Sequence, residues 1–292
     1  MQNGNVIIRH TGPVVDLSVS PDGRYVASLG VDRYLVIHSL MDGRTFSFIV
    51  DPNVVPTCMC WSPDSRYVAI GMSDSRIDIW DIISGKAISR MLGHQESVSC
   101  LAWGKYLASG GKDRTIRVWD YSSGDCILML RGHTSEVLGL DWLVSSDYLV
   151  SCGADMRIIL WNVSYGRQIA TFSGHLGVVV SAVFADDKTI ISCGGDGSVR
   201  FWDTRTRRSI KVLKTGCRPE CMSYEPNTMR IAVGCSDGKI LLLNGEKKTS
   251  IEGHRGRGRA LSWLTKGETL ISGGEDGTVK LWKLDWKFAS IR

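Results

Sequence analysis

Residues 112–120 read KDRTIRVWD, and the same string recurs in register along the chain. The other copies are VDRYLVIHS (31–39), SDSRIDIWD (73–81), ADMRIILWN (154–162), GDGSVRFWD (195–203), SDGKILLLN (236–244) and EDGTVKLWK (275–283). In each, an Asp stands six residues before the Trp position: Asp32, Asp74, Asp113, Asp155, Asp196, Asp237 and Asp276. Successive aspartates lie 42, 39, 42, 41, 41 and 39 residues apart. A unit of that period buries its faces only against neighbouring copies. The repeat therefore outranks the one-or-two-domain expectation that 292 residues would otherwise suggest.

Around 112–120 the local signals are those of β-structure. SVSCLAW, KYLAS, TIRVWD and DCILML are short runs rich in Val, Ile, Leu and Trp, and turn clusters such as GGKD and SSGD separate them. Four short strands per unit and no useful helical period predict an all-β, radially repeated architecture.

Gly93-His94, Gly132-His133, Gly174-His175 and Gly253-His254 open units that close on Trp119-Asp120, Trp161, Trp202-Asp203 and Trp282. In these residues the chain resembles the WD40-repeat family over essentially its whole length. The resemblance implies a seven-bladed β-propeller with four antiparallel strands per blade. One domain is expected over residues 1–284. Unit six lacks the opening His and ends Leu243-Asn244, and unit one has His38 in the Trp position, so these blades are expected to be the loosest or the most specialised. Strand 4–9 precedes His10 as 123–131 precedes the next opening His, yet has no blade of its own. It is expected to supply the missing fourth strand of the last unit, with 285–292 left as a tail.

Composition narrows the class. The chain is 43% hydrophobic and 22% charged, as soluble globular proteins are. No run of 18 apolar residues is present, so no membrane-spanning helix and no membrane association are expected. MQNGNVIIRH has neither a basic leader nor an apolar core, so no signal peptide is expected. Nine cysteines then point to reduced thiols in cytosol or nucleus.

His94, Ser109 and Asp113 have the residue types of a hydrolase triad, as do His133, Ser151 and Asp155; His175, Ser192 and Asp196; and His254, Ser272 and Asp276. One nucleophile would suffice for catalysis, and four copies point instead to structure. An indole N–H, a hydroxyl, an imidazole and a carboxylate can satisfy one another in sequence, so Trp119, Trp161, Trp202 and Trp282 should complete four buried polar chains. No catalytic residue is assigned. Cys217 and Cys221 in CRPEC, and Cys58 and Cys60 in CMC, lack a second nearby pair to complete a zinc site. Neither metal nor cofactor is expected.

Function is then left to the surface. Residues 1–199 hold 16 Lys and Arg against 20 Asp and Glu, whereas residues 200–292 hold 19 against 10. The basic part contains DTRTRR, with Arg205, Arg207 and Arg208, and HRGRGR, with Arg255, Arg257 and Arg259. Besides a solvated rim, these clusters suit an acidic or phosphorylated protein segment, or RNA. Aromatics do not interleave these arginines, which weakens the RNA alternative. IISCGGDGSVRFWDTR (190–205) resembles the motif by which WD40 proteins dock on the adaptor of cullin-RING ubiquitin ligases, implying roles for Asp203 and Arg205. CMCWSPDSRYVAIG (58–71), LAWGKYLASGG and GHTSEVLGLDW resemble fizzy-type co-activators of the anaphase-promoting complex, whose usual Ile-Arg ending is matched by Ile291-Arg292. No N-terminal extension is expected to carry their other docking motif.

In the WD40 family, residues three and five past each opening-His position, and the residue before the structural Asp, face the mouth of the propeller. Here they include Val15, Lys112, Glu136, Leu138, Val178, Val180, Arg218, Glu220, Arg257, Arg259 and Glu275. An apolar sector with a cationic one suits an extended peptide that has a hydrophobic anchor and an acidic or phosphorylated residue. The alternative is that the valines line a channel and the arginines pair with Glu220 and Glu275. The overall expectation is a non-enzymatic, monomeric scaffold within a larger complex. A ligase substrate receptor and a subunit of an RNA-processing particle are the alternatives.

Overall fold

Asp113 turns the repeated string into a hairpin. Its Oδ1 accepts the Thr115 backbone N–H at 3.0 Å, an Asx turn that reverses the chain between two strands. The intervening Arg114 is left-handed, with φ 66°. The residue after each structural Asp repeats this conformation: Arg33 (69°), Ser75 (75°), Met156 (64°), Gly197 (69°), Gly238 (84°) and Gly277 (71°). Only Gly adopts it without a steric cost of roughly 1–2 kcal/mol, which explains the Asp-Gly pairs of the last three units. In units one, three and four, Asp hydrogen bonds to Tyr34, Thr115 and Arg157 hold a side-chain-bearing residue there.

The computed structural model describes residues 4–144, 146–245, 247–264 and 267–284. Blade three, around Asp113, has strands Val98–Trp103, Leu107–Gly111, Thr115–Asp120 and Asp125–Arg131, joined as an antiparallel meander. Burial peaks in the middle strands: Leu107–Gly111 is buried throughout, the inner Val98–Trp103 is half-buried, and most of Asp125–Arg131 is exposed. Every unit repeats this pattern, giving seven four-stranded sheets and an all-β seven-bladed propeller, the architecture implied by the repeat.

The sheets fall into two compact units. One, the chain up to Pro52 with everything from Cys217 on, contains the sheets of 14–49, 219–252 and 258–283. In it, Asn5–Arg9 pairs antiparallel with Thr278–Lys283, and the His10 N–H reaches the Gly277 carbonyl at 2.8 Å. The first strand thus completes the last blade. The other unit, Asn53–Gly216, contains the sheets of 56–91, 98–131, 137–173 and 179–214.

Within each unit, adjacent blades share cores. Trp161, Trp142 and Val137 of blade four pack with Ile116, Val118 and Leu130 of blade three. Trp202, Val179 and Ala182 of blade five pack with Ile158, Leu160 and Phe172 of blade four. In the first unit, Ile8, Ala260, Ile271 and Val279 meet Val14, Leu17 and Val26 of blade one. Fully burying each such side chain stabilises by about 1.5–3 kcal/mol, and most of that depends on the neighbouring blade. Residues 285–292, including Ile291 and Arg292, lie outside the described residues.

Removing residues 1–9 strips the ladder from Thr278–Lys283 and takes Ile8 out of the shared core. The truncated protein should melt well below the full chain or aggregate through the exposed edge. An unchanged melting temperature by calorimetry would refute closure by the first strand.

Candidate functional site at the bulged inner strands

The four candidate polar chains form, with nearly identical geometry. The indole Nε1 of Trp119, Trp161, Trp202 and Trp282 lies 2.8 Å from the hydroxyl of Ser109, Ser151, Ser192 and Ser272 respectively. Those hydroxyls lie 2.7–2.8 Å from Nε2 of His94, His133, His175 and His254. Nδ1 of each ring meets Asp113, Asp155, Asp196 or Asp276 at 2.8–3.1 Å. An ionised carboxylate only accepts, so Nδ1 carries the proton, Nε2 accepts the serine O–H, and the serine oxygen accepts the indole N–H. All four serines have no exposed surface, so none presents a nucleophile to a substrate.

Burial holds His94, His175 and His254 below the ordinary histidine range, outweighing the aspartates, which favour the charged ring. Burial alone would raise Asp196 and Asp276. Hydrogen bonds instead hold them well below the carboxylate range: Ser198, the Leu176 N–H and His175 act on one, and Thr278, the Arg255 N–H and His254 on the other. The backbone bonds fix position. Gln95, Thr134, Leu176 and Arg255, each following the histidine, donate their N–H to the aspartate at 3.0 Å and so pin the segment entering the inner strand.

A fifth chain lacks the tryptophan. His10 Nε2 lies 2.8 Å from Ser28, and Nδ1 lies 3.0 Å from Asp32, whose other oxygen accepts the Thr11 N–H at 2.9 Å. Blade one therefore has the same pin as the complete repeats. Sequence reasoning missed it because His38 stands where the tryptophan was sought. The available signal was Ser28, four residues before Asp32 as Ser109 is before Asp113.

Blade six is built differently, and it corrects the expectation of reduced thiols throughout. Where a histidine opens the blade, the residue two before the Asp is glycine. A Cβ there would meet ring Nδ1 at 2.9 Å for Gly111, 2.7 Å for Gly194 and 2.5 Å for Gly274. Blade six has no histidine, and Cys235 fills that register, disulfide-bonded to Cys217 with Cα atoms 5.9 Å apart. The two cysteines of CRPEC are thus separated. Cys221 stays a thiol whose pKa burial pushes up to about 12, with Sγ 3.5 Å from the Gly258 carbonyl. Cys58 and Cys60 pack in the core shared by blades two and three.

The same irregularity marks the start of all seven inner strands. Register shifts fall at Val14/Asp16, Pro56/Cys58, Val98/Cys100, Val137/Gly139, Val179/Ser181, Pro219/Cys221 and Gly258/Ala260. A bulge leaves one residue out of the ladder and re-aims its side chain. The residues skipped are Val15, Thr57, Ser99, Leu138, Val180, Glu220 and Arg259, which are the positions five past each opening-His register.

In the first unit these residues and their neighbours form a charged lattice. Arg259 Nη2 donates to Glu275 Oε1 at 2.7 Å, and Arg257 Nε lies 3.6 Å from the same oxygen. Glu275 Oε2 accepts the Arg257 backbone N–H at 3.0 Å, which with Arg259 holds this carboxyl below its usual range. Glu220 lies 3.9 Å from both Arg218 and Arg257. The arginines are therefore not all free, and pairing with Glu220 and Glu275 is what the structure contains. Contacts of 3.9 Å exceed hydrogen-bond length, so the two-thirds-exposed Arg218 guanidinium keeps its donors open among the described residues. Three guanidinium groups against two carboxylates leave one net positive charge. Val15 is half-buried in this unit.

In the second unit Leu138, Val178 and Val180 are half-buried, and Lys112 is exposed. Glu136 accepts the Ser99 hydroxyl at 2.5 Å, a tie across two blades. Leu176, absent from the expected set, is 85% exposed beside Val178. It stands one past the opening His, where other blades have Thr11, Gln95, Thr134 and Arg255, and that contrast was the available signal. Asp203 and Arg205 lie elsewhere on blade five, at the turn after Ser198–Asp203. Asp203 accepts the Thr206 N–H at 2.6 Å, while Arg205 is exposed.

Three residues beyond Leu138, Asp141 accepts the Phe184 N–H of the next blade at 2.8 Å. Burial pushes its pKa up to about 7 despite that bond. Among the described residues, no group of three or more His, Cys, Asp or Glu could hold a metal ion. Nor is any helix long and apolar enough to cross a membrane.

The family model described as "WD domain, G-beta repeat" matches residues 2–39, 49–81, 85–120, 124–162, 166–203 and 245–283. A guanine nucleotide-binding protein subunit beta-like protein of Encephalitozoon cuniculi is 31% identical over 113 residues, covering 35% of this chain and 33% of that protein. The APC/C activator protein CDC20 of Saccharomyces cerevisiae is 31% identical over 109 residues, covering 36% and 18%. The chain thus matches a third or less of the length of these relatives. A chain in a solved structure titled "Crystal Structure of Mitotic Checkpoint Complex" superposes with a TM-score of 0.90 at 22% identity, covering 97% of this chain and 93% of that one. At that identity the likeness is one of fold.

Asp155→Ala should cost about 1–3 kcal/mol for the buried His133 Nδ1 it strands, the Thr134 and Arg157 N–H groups being open to water. Chemical denaturation reads the loss, and wild-type stability would contradict the structural role. Asp141 gives a pH signature of opposite sign to a salt-bridged acid. Its folded pKa of about 7 exceeds the ordinary carboxylate value of 3.8, so ionisation disfavours the fold as pH rises between them. Asp141→Asn keeps an acceptor for Phe184 and should stabilise more at pH 8 than at pH 5; equal effects at the two would contradict the shift.

Proposed function

Because the chain belongs to the WD40-repeat family, we propose that it is a non-enzymatic protein-interaction scaffold binding extended peptide segments on the propeller face formed by its entry loops. The bulges carry this reading. Each inner strand gives up one ladder position and aims the skipped side chain away from its sheet, while the polar chains keep the adjoining loops fixed. Rigid loops presenting varied side chains suit recognition without a large ordering cost. The open donors of Arg218 and the loosely held Arg257 favour a peptide carboxylate or phosphate. In the other unit, Leu138, Val178, Val180 and Leu176 favour an apolar anchor residue.

A second reading, substrate receptor or co-activator of a ubiquitin ligase, is supported by the CDC20 relative and by the structure named for the mitotic checkpoint complex. The exposed Arg205 at the end of GDGSVRFWDTR would then help dock an adaptor, as the cullin-RING motif implies. Arg205→Ala should leave stability unchanged and abolish co-precipitation of that adaptor. An adaptor absent from wild-type precipitates would refute this role.

Two fluorescent peptide libraries, one with apolar anchors and one with aspartate, glutamate or phosphoserine, provide the test of the main reading. Arg218→Ala with Arg257→Ala should weaken the selected acidic or phosphorylated peptides by about tenfold, and high salt should mimic the change. Val180→Asp should abolish binding of the peptides selected for an apolar anchor, with melting temperatures near wild type for both variants. Full affinity in both folded variants would move recognition away from these loops.

A further inference from the structure

In the blades opened by a histidine, a ring and a backbone N–H hold the entry segment to the structural Asp; in blade seven these are His254 Nδ1 and the Arg255 N–H on Asp276. Blade six has Thr215 in the histidine register, and its hydroxyl is bonded to the Gly197 carbonyl at 2.9 Å. Asp237 receives the Lys239 N–H at 3.1 Å, on its own turn. The entry segment of blade six is fastened instead by Cys217–Cys235, beside the Ser236 N–H on the Arg218 carbonyl at 3.0 Å, a bond that every blade shares. Pro219, next in the chain, has no N–H to add. The bond ties the residue before Arg218 to the end of Arg230–Cys235, directly beside the bulged Glu220.

We propose that Cys217–Cys235 is a reversible thiol–disulfide site, a latch opened by a dithiol reductant, whose closure holds Arg218 and Glu220 in their presenting positions. The regulatory consequence rests on the recognition reading above; the latch itself does not. Cys217 is half-buried, whereas Cys235 has 1% of its surface exposed, so attack falls on the more accessible Cys217 sulfur. A reductant thiolate bonds to Cys217 Sγ, the S–S bond breaks, and its electron pair leaves on Cys235, which takes a proton. The reductant's second thiolate then attacks the mixed disulfide, Cys217 departs with the electron pair and is protonated, and the reductant leaves as its own disulfide. Two electrons have passed to the protein, and a disulfide oxidant reverses the sequence. Cys221 is no resolving thiol for this exchange, since burial keeps it protonated and its sulfur faces Gly258.

Opening leaves residues 216–219 without a covalent fastening and with no imidazole in its place. Glu220 bridges Arg218 and Arg257, so loosening the segment also removes one of the two carboxylates near Arg257. Reduction therefore changes the charge lattice without altering its composition.

The test uses the full chain. Alkylation after unfolding without reductant should modify seven of the nine cysteines, and all nine after dithiothreitol. On the folded protein, dithiothreitol should raise amide hydrogen exchange across 216–220 by about fivefold or more, leaving 95–99 of blade three unchanged. Cys217→Ser should show the raised exchange with and without dithiothreitol. Nine modified cysteines before reduction, or exchange at 216–220 that dithiothreitol does not move, would overturn the latch. The wild-type measurement needs no variant to fold. Binding of the selected peptides is read separately: if the latch opens while no peptide binds in either state, the recognition reading fails and the thiol–disulfide site stands.

Discussion

A carboxylate facing the segment that enters the inner strand is the constraint on which the blades depend. Asp113, Asp155, Asp196 and Asp276 each accept from a histidine ring, from the N–H after that histidine, and from the N–H two residues further along their own turn. One group thus ties the start of the first strand to the hairpin between the second and third. Without it the turn has no reason to hold a left-handed residue such as Met156, and the histidine has no partner for its proton. The serine and tryptophan extend the same chain into the core. A buried network of this kind is valuable only when every member is satisfied, and in four blades every principal donor and acceptor is.

Satisfying the interior fixes what is left outside. In every blade, with or without a histidine pin, the chain enters the inner strand one residue out of step, and the bulge re-aims one side chain per blade. Residues spent on the scaffold and residues skipped by the ladder are therefore separate. Gly194 cannot change without meeting His175, whereas Val180 can vary freely as far as the polar chain is concerned. Blade six follows the same logic by another route, since losing the histidine admits Cys235 and the disulfide closes the same junction. Blade two, also without an opening histidine, instead buries Asp78 between Arg76 and Arg90 at 3.3 and 2.9 Å.

The sequence was most readable where periodicity and chemistry agreed. The Asp-to-Trp spacing defined seven units, and the donor and acceptor types of His133, Ser151, Asp155 and Trp161 sufficed to order their hydrogen bonds. The closing role of Asn5–Arg9 followed from its register before His10. What escaped depended on substitutions relative to the repeat. Cys217 was weighed against its neighbour Cys221, four residues away, although its partner Cys235 lies 18 residues on in the glycine register. The His10 chain was hidden by the loss of its tryptophan. Pairing of Arg257 and Arg259 with Glu275 remained open, because a one-residue bulge moves side chains by a distance that a linear spacing does not encode.

Site-specific photocrosslinking tests most directly whether the skipped residues form the recognition surface. A benzophenone amino acid would replace Leu138, Val180 or Arg259 one at a time, with Ile88 and Ile210 of the outer strands as controls. The account predicts crosslinks to bound peptides from the bulge positions of each unit and none from the outer strands. Crosslinks from Ile88 or Ile210, with none from the bulges, would contradict it.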